Sequence, residues 1–212
     1  MAAESVDPFA AALLAGGQSR RMGTDKALLA VIWQGQQMPL WKRQLTVLEE
    51  LKPSQLFLSG PPRAGLPIVS IRDRWQDAGP LAGIATCLDY CSPEFLLVLA
   101  VDLASMSSNC LRRLLLCSGR GCGIVPVRQA LYEPLAAVYP KQALSIALAR
   151  LERSKLKLQE FVRELVAAGL VRPWQVPPEM DDQFLNWNSP VTRGLDESGP
   201  SARPPGTRDG TA

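Results

Sequence analysis

The stretch of residues 13–26, Leu-Leu-Ala-Gly-Gly-Gln-Ser-Arg-Arg-Met-Gly-Thr-Asp-Lys, constrains this chain more than any other part of its sequence. An apolar run at residues 9–15 is typical of a buried parallel strand, and it leads directly into Gly16 and Gly17. Two arginines, a third glycine and a lysine follow within one short loop: Arg20, Arg21, Gly23 and Lys26. Glycines let backbone N–H groups approach an anion, and basic side chains match phosphate oxygens. The stretch therefore predicts a strand followed by a polyphosphate-binding loop.

Two familiar phosphate motifs do not describe this loop. A P-loop requires Gly-x-x-x-x-Gly-Lys-Ser/Thr, whereas here Gly23 is followed by Thr24, Asp25 and only then Lys26. The Gly-x-Gly-x-x-Gly fingerprint of dinucleotide oxidoreductases does not match the stretch either. An exposed turn whose basic side chains are merely solvated is the alternative interpretation.

Composition excludes several kinds of chemistry. The chain has 212 residues and no histidine, so histidine-based acid–base catalysis and catalytic triads are excluded. Its five cysteines form no Cys-x-x-Cys pair, which favours reduced thiols and disfavours a zinc site. Catalysis must then rest on carboxylates, lysine, arginine, backbone groups and metal.

Charge and hydropathy indicate which partners to expect. A formal net charge of +3 is too small to argue for nucleic-acid binding. No apolar run reaches the roughly 20 residues that a membrane span needs, and the N-terminus does not resemble a signal peptide. We expect a cytoplasmic protein that binds neither nucleic acid nor membrane.

Apolar strands alternate with helical patterns along the chain, which favours an α/β fold. Strands are predicted at residues 9–15, 55–59, 67–71, 94–101, 124–127, 135–139 and 184–187. Helices are predicted at residues 39–51, 80–91, 142–151 and 158–168, and a further helix that Ser107 or Ser108 caps is predicted to end at residue 117. The pattern predicts a Rossmann-like three-layer sandwich, with a mostly parallel sheet and helices on both faces. We expect one domain over residues 1–190 and a disordered tail over residues 191–212, where apolar residues become rare.

Asp102 directly follows the most strand-like run of the chain. A carboxylate there is costly unless it is exposed at the strand end or bound to something. In parallel sheets, ligands bind beyond the carboxyl ends of strands, so Asp102 and the glycine loop are expected at one edge. An aspartate that caps a strand-to-helix turn is the alternative, but a phosphate loop at the same edge favours Mg²⁺ binding by Asp102.

The loop also carries a family resemblance. Leu14-Ala15-Gly16-Gly17-x-Ser19-x-Arg21-Met22-Gly23-x-Asp25-Lys26 resembles the signature of the molybdenum cofactor guanylyltransferases, the MobA-like nucleotidyltransferases. Related sugar-phosphate, isoprenoid and molybdenum cofactor cytidylyl transferases tend to carry Leu-Ala-Ala-Gly. The second glycine and the Asp-Lys pair therefore favour the guanylyl branch. Further matches extend the resemblance to about residue 190, and it implies the nucleotide-diphospho-sugar transferase type of fold.

The resemblance implies an activity: transfer of GMP from GTP to the terminal phosphate of molybdopterin, with or without bound molybdenum, and release of pyrophosphate. It implies catalytic roles for Lys26, Arg21 and Asp102, with Asp102 as the Mg²⁺ ligand. A sibling transferase that uses CTP or a sugar phosphate remains an alternative. So does a nucleotide-binding module without transfer activity.

The same resemblance implies residues that bind the nucleotide: Leu14, Ala15, Gly16, Gly17, Lys26, Ser59, Asp73, Gly79, Pro80 and Asp102. The segment Gly79-Pro80-Leu81-Ala82-Gly83 matches a motif that lines the guanine pocket. Asp73 falls where the family has a carboxylate in the nucleotide pocket. Ser59 stands where family members often have an asparagine.

On the acceptor side, Tyr132-Glu133-Pro134-Leu135 resembles a segment beside the second substrate, and Asn186-x-Asn188 resembles an Asn-x-Asn that binds the cofactor. Family members usually continue with Thr-Pro-Glu-Glu-Leu and a closing helix, whereas this chain continues Ser189-Pro190-Val191. The resemblance also implies transient contact with molybdenum-insertion proteins or molybdoenzyme chaperones.

Overall fold

This computed structural model describes residues 6–16, 26–62, 68–72, 74–75, 77–186 and 194–195. The strands in these ranges are β1 (Phe9–Leu14), β2 (Ala30–Trp33), β3 (Gln36–Pro39), β4 (Gln55–Ser59), β5 (Val69–Ile71), β6 (Phe95–Ala100), β7 (Gly123–Arg128), β8 (Leu131–Tyr132), β9 (Ala136–Pro140), β10 (Val171–Gln175) and β11 (Gly194–Leu195). The helices are α1 (Leu40–Glu49), α2 (Pro80–Tyr90), α3 (Ser108–Cys117), α4 (Ala143–Glu152) and α5 (Leu158–Ala167). Two 3-10 segments cover Lys26–Leu28 and Pro178–Phe184.

β1 lies in the middle of the main sheet and is buried on both faces. Its odd-numbered residues enter one hydrophobic cluster, and its even-numbered residues enter the other. A strand covered on both faces is apolar at every position, because side chains alternate between the faces. The continuous apolar run before the glycines is therefore explained by the position of β1 inside the sheet.

The main sheet has the strand order β10-β7-β9-β6-β1-β4-β5, and β8 pairs with β7. β1 is parallel to β4 and β6, whereas β9 runs antiparallel between β6 and β7. α1 and α3 contribute to the cluster on one face, and α2, α4 and α5 contribute to the cluster on the other. The predicted three-layer α/β fold with a mostly parallel sheet is therefore confirmed.

Proline, serine and glycine residues mark the helix boundaries. α1 begins directly after Pro39, and the side chain of Ser107 caps α3 by accepting a hydrogen bond from the N–H of Cys110 at 3.2 Å. α5 is followed by Gly169 with φ +70°, a conformation that favours glycine. Among the helices in the described ranges, none combines the length and apolar character that a bilayer crossing requires.

A small ribbon beside the main sheet was not among the predicted strands. β2 and β3 pair antiparallel around Gln34 and Gly35, which both have positive φ angles. Val31 of β2 packs with Leu40 and Ala104 in a third hydrophobic cluster. β11 pairs with β2, although the sequence around residue 194 did not predict a strand.

Near the C-terminus one predicted strand is wrong and one observed strand was not predicted. The predicted strand at residues 184–187 is wrong, because Phe184 ends the 3-10 segment Pro178–Phe184, and residues 185–186 have no regular structure. Phe184 and Met180 both bury their side chains in the core from this 3-10 segment. Trp187 lies outside the described residues. β10, which the sequence did not predict, forms the edge beside β7.

Candidate active site

Three parallel strands end side by side at the carboxyl edge of the main sheet. Leu14 at the end of β1 lies opposite Ser59 of β4 and opposite Ala100 of β6. The next backbone groups continue this pairing, since the N–H of Ala15 donates to the carbonyl of Ser59 at 2.9 Å and the N–H of Val101 donates to Leu14 at 3.1 Å. The glycine loop and Asp102 therefore leave the sheet from the neighbouring strands β1 and β6. The sequence predicted a shared edge, but not that the two strands are neighbours.

Gly16 and Gly60 bring two chain segments into close contact at this edge. A Cβ built on Gly60 would lie 2.8 Å from the backbone nitrogen of Gly16, and Gly60 has a φ of +141°. A Cβ on Gly16 would lie 3.2 Å from the Cα of Gly60. The path of the chain into the loop thus depends on glycine at both positions.

Replacing Gly60 with alanine is expected to destabilise the protein and to displace the start of the glycine loop. The positive φ contributes roughly 1–3 kcal/mol of strain, and the overlap with the backbone at Gly16 adds roughly 1–3 kcal/mol. Gly35→Ala is the matched control, since Gly35 has a φ of +72° but no atom within 4 Å of its built Cβ. Urea unfolding of both variants measures the difference, and equal losses would contradict the crowding argument.

Lys26 and Asp102 act on each other electrostatically. Lys26 is the first residue of the 3-10 segment that follows the glycine loop. Asp102 lies half-buried just after β6. Burial raises the pKa of Asp102 above its usual value, while the positive charge of Lys26 and a backbone hydrogen bond act to lower this pKa. The charge of Lys26 therefore acts on Asp102, which follows β6, the neighbour of β1 in the sheet.

The N-terminus of α2 opens at the same edge, because α2 follows the parallel strand β5. Gly79 precedes the helix with a φ of +67°, and Pro80 occupies its first position. Both residues are exposed, whereas the next eight residues of α2 are buried. Pro80 has no N–H, and the N–H of Ala82 donates to the carbonyl of Gly79 at 3.1 Å, so Gly79 and Pro80 themselves are the part of this turn that faces solvent at the edge.

The other predicted positions have different surroundings. Ser59 is only 2% exposed, so little of its side chain is accessible to a ligand. Asn186 is exposed just after the last 3-10 segment. Four of the predicted site residues lie outside the described residues: Gly17, Arg21, Asp73 and Asn188.

The segment Glu133, Pro134 and Leu135 lies between two paired stretches, β8 and β9, at the carboxyl edge. The buried hydroxyl of Tyr139 donates a hydrogen bond to the carbonyl of Pro134 at 2.7 Å. The carbonyl of Leu135 accepts a hydrogen bond from the N–H of Ala100, at the end of β6, at 2.8 Å. These two hydrogen bonds therefore hold the segment beside β6, the strand that precedes Asp102.

Arg128 connects this segment to the C-terminal part of the described chain. Its guanidinium donates to both carboxylate oxygens of Asp181 at 2.6 and 2.7 Å, to Glu133 at 3.2 Å and to the carbonyl of Phe184 at 3.3 Å. Bonding to Arg128 lowers the pKa of Asp181, whereas burial raises the pKa of Glu133. The 3-10 segment that precedes Asn186 is thus held at the end of β7.

Sequence reasoning missed two polar residues next to Asp102. Gln44 and Arg43 are buried on α1 and donate hydrogen bonds to the loop of residues 101–107, called here the Asp102 loop, and to the strand end before it. The only signal in the sequence is that two polar residues interrupt the apolar positions of this helix. Local periodicity cannot show which distant carbonyls such side chains reach.

The donor chemistry of the edge fits a hard divalent cation. Mg²⁺ prefers oxygen ligands and commonly takes one or two protein carboxylates together with substrate phosphates. Asp102 offers one half-buried carboxylate, and within the described residues no group of three or more His, Cys, Asp and Glu could hold a metal. The cation would therefore depend on substrate phosphates for further ligands.

Solved structures share this architecture. Molybdopterin-guanine dinucleotide biosynthesis protein A from Archaeoglobus fulgidus superimposes with a TM-score of 0.66 at 22% identity, covering 85% of this chain and 93% of that one. The 2-C-methyl-D-erythritol 4-phosphate cytidylyltransferase of Thermus thermophilus gives 0.60 at 16% identity, covering 84% and 92%. At these identities the likeness shows the α/β fold alone.

The chain belongs to the MobA-like NTP transferase domain family, whose model matches residues 11–168. A probable molybdenum cofactor guanylyltransferase of Opitutus terrae is 36% identical over 191 residues, which cover 87% of this chain and 93% of the relative. A protein of the same description from Carboxydothermus hydrogenoformans is 29% identical over 183 residues, covering 85% and 90%. The family resemblance in the glycine loop is confirmed.

Proposed function

We propose that this protein transfers GMP from GTP to the terminal phosphate of molybdopterin, which forms the guanine dinucleotide cofactor and releases pyrophosphate. The observation that carries the proposal is that Asp102 follows β6 at the edge where the glycine loop leaves β1, and that the charge of Lys26 acts on it there. Membership of the MobA-like family and relatives described as guanylyltransferases support the choice of donor and acceptor. The enzyme is a nucleotidyltransferase.

The proposed reaction does not need a general base. An oxygen of the acceptor phosphate is already anionic, so it attacks the α-phosphorus of GTP directly. The bond from the α-phosphorus to the bridging oxygen breaks, and pyrophosphate leaves with that electron pair. Catalysis then consists of positioning and charge stabilisation, which suits a chain without histidine.

Charge stabilisation is assigned to the edge of the sheet. The backbone of Leu14, Ala15, Gly16 and Gly17 and the side chains of Arg21 and Lys26 would bind the triphosphate. MobA-like nucleotidyltransferases generally use a divalent metal, and Asp102 would hold Mg²⁺, which supplies Lewis-acid stabilisation of the phosphate oxygens. Lys26 would stay near the leaving pyrophosphate and keep Asp102 ionised.

The remaining predicted residues are assigned to base and acceptor recognition. Gly79 and Pro80, with Asp73 and Ser59, would form the guanine and ribose side of the site. Because Ser59 is buried and its carbonyl accepts the N–H of Ala15, its proposed contribution is to hold the strand end that borders this side of the site. On the acceptor side, the proposal places Asn186 and Asn188 near the pterin, beside the segment Tyr132-Glu133-Pro134-Leu135 that Tyr139 and Arg128 hold in place.

Nucleotide choice gives the direct test. With α-labelled GTP, Mg²⁺ and molybdopterin, we expect label to appear in a dinucleotide product, with kcat/KM for GTP at least about 100-fold above that for CTP or ATP. This margin is reasonable because hydrogen bonds to a base discriminate strongly when a wrong base leaves them unmade.

Other outcomes would point to the alternatives. Preferential transfer from CTP would favour the sibling cytidylyl activity, and transfer to a sugar phosphate would favour the sugar-phosphate alternative. Binding of GTP without transfer to any of these acceptors would favour a nucleotide-binding module.

Three further expectations belong to this proposal. The catalytic domain would comprise residues 1–190, with residues 191–212 as a tail that contributes no predicted site residue. The protein would act in the cytoplasm, without a nucleic-acid or membrane partner. Molybdenum-insertion proteins or molybdoenzyme chaperones would contact it transiently.

A further inference from the structure

Two adjacent polar residues of α1 are buried beside the candidate metal ligand. Gln44 is 0% exposed and Arg43 is 5% exposed, although burial of such groups is unfavourable unless their polar atoms are bonded. Both side chains point from α1 towards the chain between β6 and α3. Their hydrogen bonds indicate what this burial achieves.

The amide nitrogen of Gln44 donates to carbonyls on both sides of Asp102. It bonds to Leu103 at 2.8 Å, and it makes longer contacts with Ala100 at 3.4 Å and Val101 at 3.5 Å. The residues that flank Asp102 in the sequence, Val101 and Leu103, thus both have their carbonyls directed at one side chain. The orientation of the peptide groups around Asp102 is fixed from α1.

Arg43 fixes the amide of Gln44 in turn. One guanidinium nitrogen donates to the side-chain oxygen of Gln44 and to the carbonyl of Met106 at 2.6 Å, and the guanidinium lies 5.9 Å from the ring centre of Trp33. An arginine bond to the oxygen leaves the amide nitrogen of Gln44 as the group that faces the carbonyls. Arg43 therefore connects the ribbon strand β2, α1 and the Asp102 loop.

α1 also holds the other member of the charged pair. The N–H of Leu40, the first residue of α1, donates to the carbonyl of Leu29 at 2.8 Å, and the N–H of Leu29 donates to Lys26 at 3.1 Å. Leu40 packs with Val31 and with Ala104 of the Asp102 loop. One helix thus fixes the backbone at both Lys26 and Asp102.

We propose that Gln44, oriented by Arg43, is a positioning residue that sets the carboxylate of Asp102 for a nucleotide-bound divalent cation; this inference rests on the proposed function. Neither residue touches the substrate. They hold Asp102 in position before the cation binds. The free energy of cation binding therefore does not include the cost of ordering the Asp102 loop.

The test uses two variants that remove the amide donor in different ways. Gln44→Leu keeps the approximate volume without any polar atom, and Gln44→Glu keeps an oxygen partner for Arg43 without an N–H. In both, we expect the Kd of Mn²⁺, measured by electron paramagnetic resonance with the α,β-methylene analogue of GTP bound, to rise about 10–100-fold. We expect the Mg²⁺ concentration that gives half of the maximal rate to rise by a similar factor, while KM for GTP at saturating metal changes by less than about threefold.

Gln55→Leu is the matched control, because the Gln55 amide also bonds to a loop, through Ser92, but at the opposite edge of the sheet. It should leave the Kd of Mn²⁺ unchanged. If the Gln44 variants melt earlier yet bind Mn²⁺ like the wild type, the role of Gln44 is structural and the proposal is overturned. If Gln44→Leu does not fold, Arg43→Lys applies the same test, since it loses the bidentate guanidinium, and unchanged Mn²⁺ binding would again overturn it.

The variant Asp102→Asn separates this inference from the proposed function. Weakened Mn²⁺ binding in Asp102→Asn, together with wild-type binding in both Gln44 variants, would remove only the positioning role. Wild-type Mn²⁺ binding in Asp102→Asn would remove the metal assignment itself.

Discussion

Asp102→Asn is expected to lower kcat/KM for GMP transfer by about 10³-fold without unfolding the protein. A carboxamide has nearly the same shape as a carboxylate, but it carries no charge to hold a divalent cation. Metal-ion stabilisation of a phosphoryl transition state is worth several kcal/mol, and each 1.36 kcal/mol corresponds to about tenfold in rate. Added Mg²⁺ and GTP should raise the Tm of the wild type and raise that of the variant less.

The metal-free variant should be at least as stable as the wild type near neutral pH. Burial raises the pKa of Asp102 in the folded protein above its value in the unfolded chain. Such a group contributes its full stability below the unfolded pKa, and that contribution is lost as the pH rises through the folded pKa. At neutral pH the ionised Asp102 therefore destabilises the fold, and asparagine removes this penalty.

Rate measurements and thermal unfolding with EDTA and without nucleotide check both parts of the prediction. Asp7→Asn is a suitable control, since Asp7 is exposed before β1, at the edge of the sheet opposite the candidate site. A variant that keeps wild-type activity would contradict the role of Asp102. A metal-free variant that melts well below the wild type at pH 7 would contradict the stability argument.

Lys26→Ala is expected to remove about 2–4 kcal/mol of transition-state stabilisation, the range seen when one preorganised donor to a developing charge is lost. This corresponds to a fall of about 30- to 1000-fold in kcat/KM. Loss of Lys26 also removes a charge that lowers the pKa of Asp102. Metal binding is lost at acidic pH as Asp102 becomes protonated, and in the variant this loss should occur at a higher pH.

Steady-state kinetics at several pH values measure both effects of Lys26→Ala. Lys42→Ala provides the comparison, because Lys42 is an exposed lysine on α1 and takes no part in the proposed site. Activity of Lys26→Ala within a few-fold of the wild type would refute the role of Lys26. Loss of metal binding at the same pH in both proteins would show that the two charges do not interact during metal binding.

The central part of this fold was readable from the sequence because its signals are local. β1 and β6 are apolar at every position, and each ends at the residues predicted to bind the nucleotide or the cation. The parallel-sheet rule then predicted that the two strand ends meet at one edge. Their neighbouring positions in the sheet, and the effect of Lys26 on Asp102, agree with that prediction.

The elements that the sequence did not reveal depend on contacts far along the chain. β10 contains Arg172, Pro173 and Gln175, all exposed at a sheet edge, so its apolar pattern is weak. Phe184 looked like part of a strand because burial alone does not distinguish a strand from a 3-10 segment anchored at one face. Gln44 reaches partners 56–59 residues away, a separation that no local pattern encodes.

The reversed direction of β9 matters for an enzyme that must join two substrates. Parallel strands can be linked only by crossovers over a face of the sheet, whereas antiparallel neighbours are linked by short hairpins at the rim itself. The hairpin that joins β7 to β8 and β9 therefore occupies the same rim as the crossover loops after β1, β4 and β6. Under the proposed function, substitutions in the hairpin between β7 and β9 could change which acceptor the enzyme prefers. The loops after β1 and β6, which are proposed to bind the triphosphate and the cation, would not have to change.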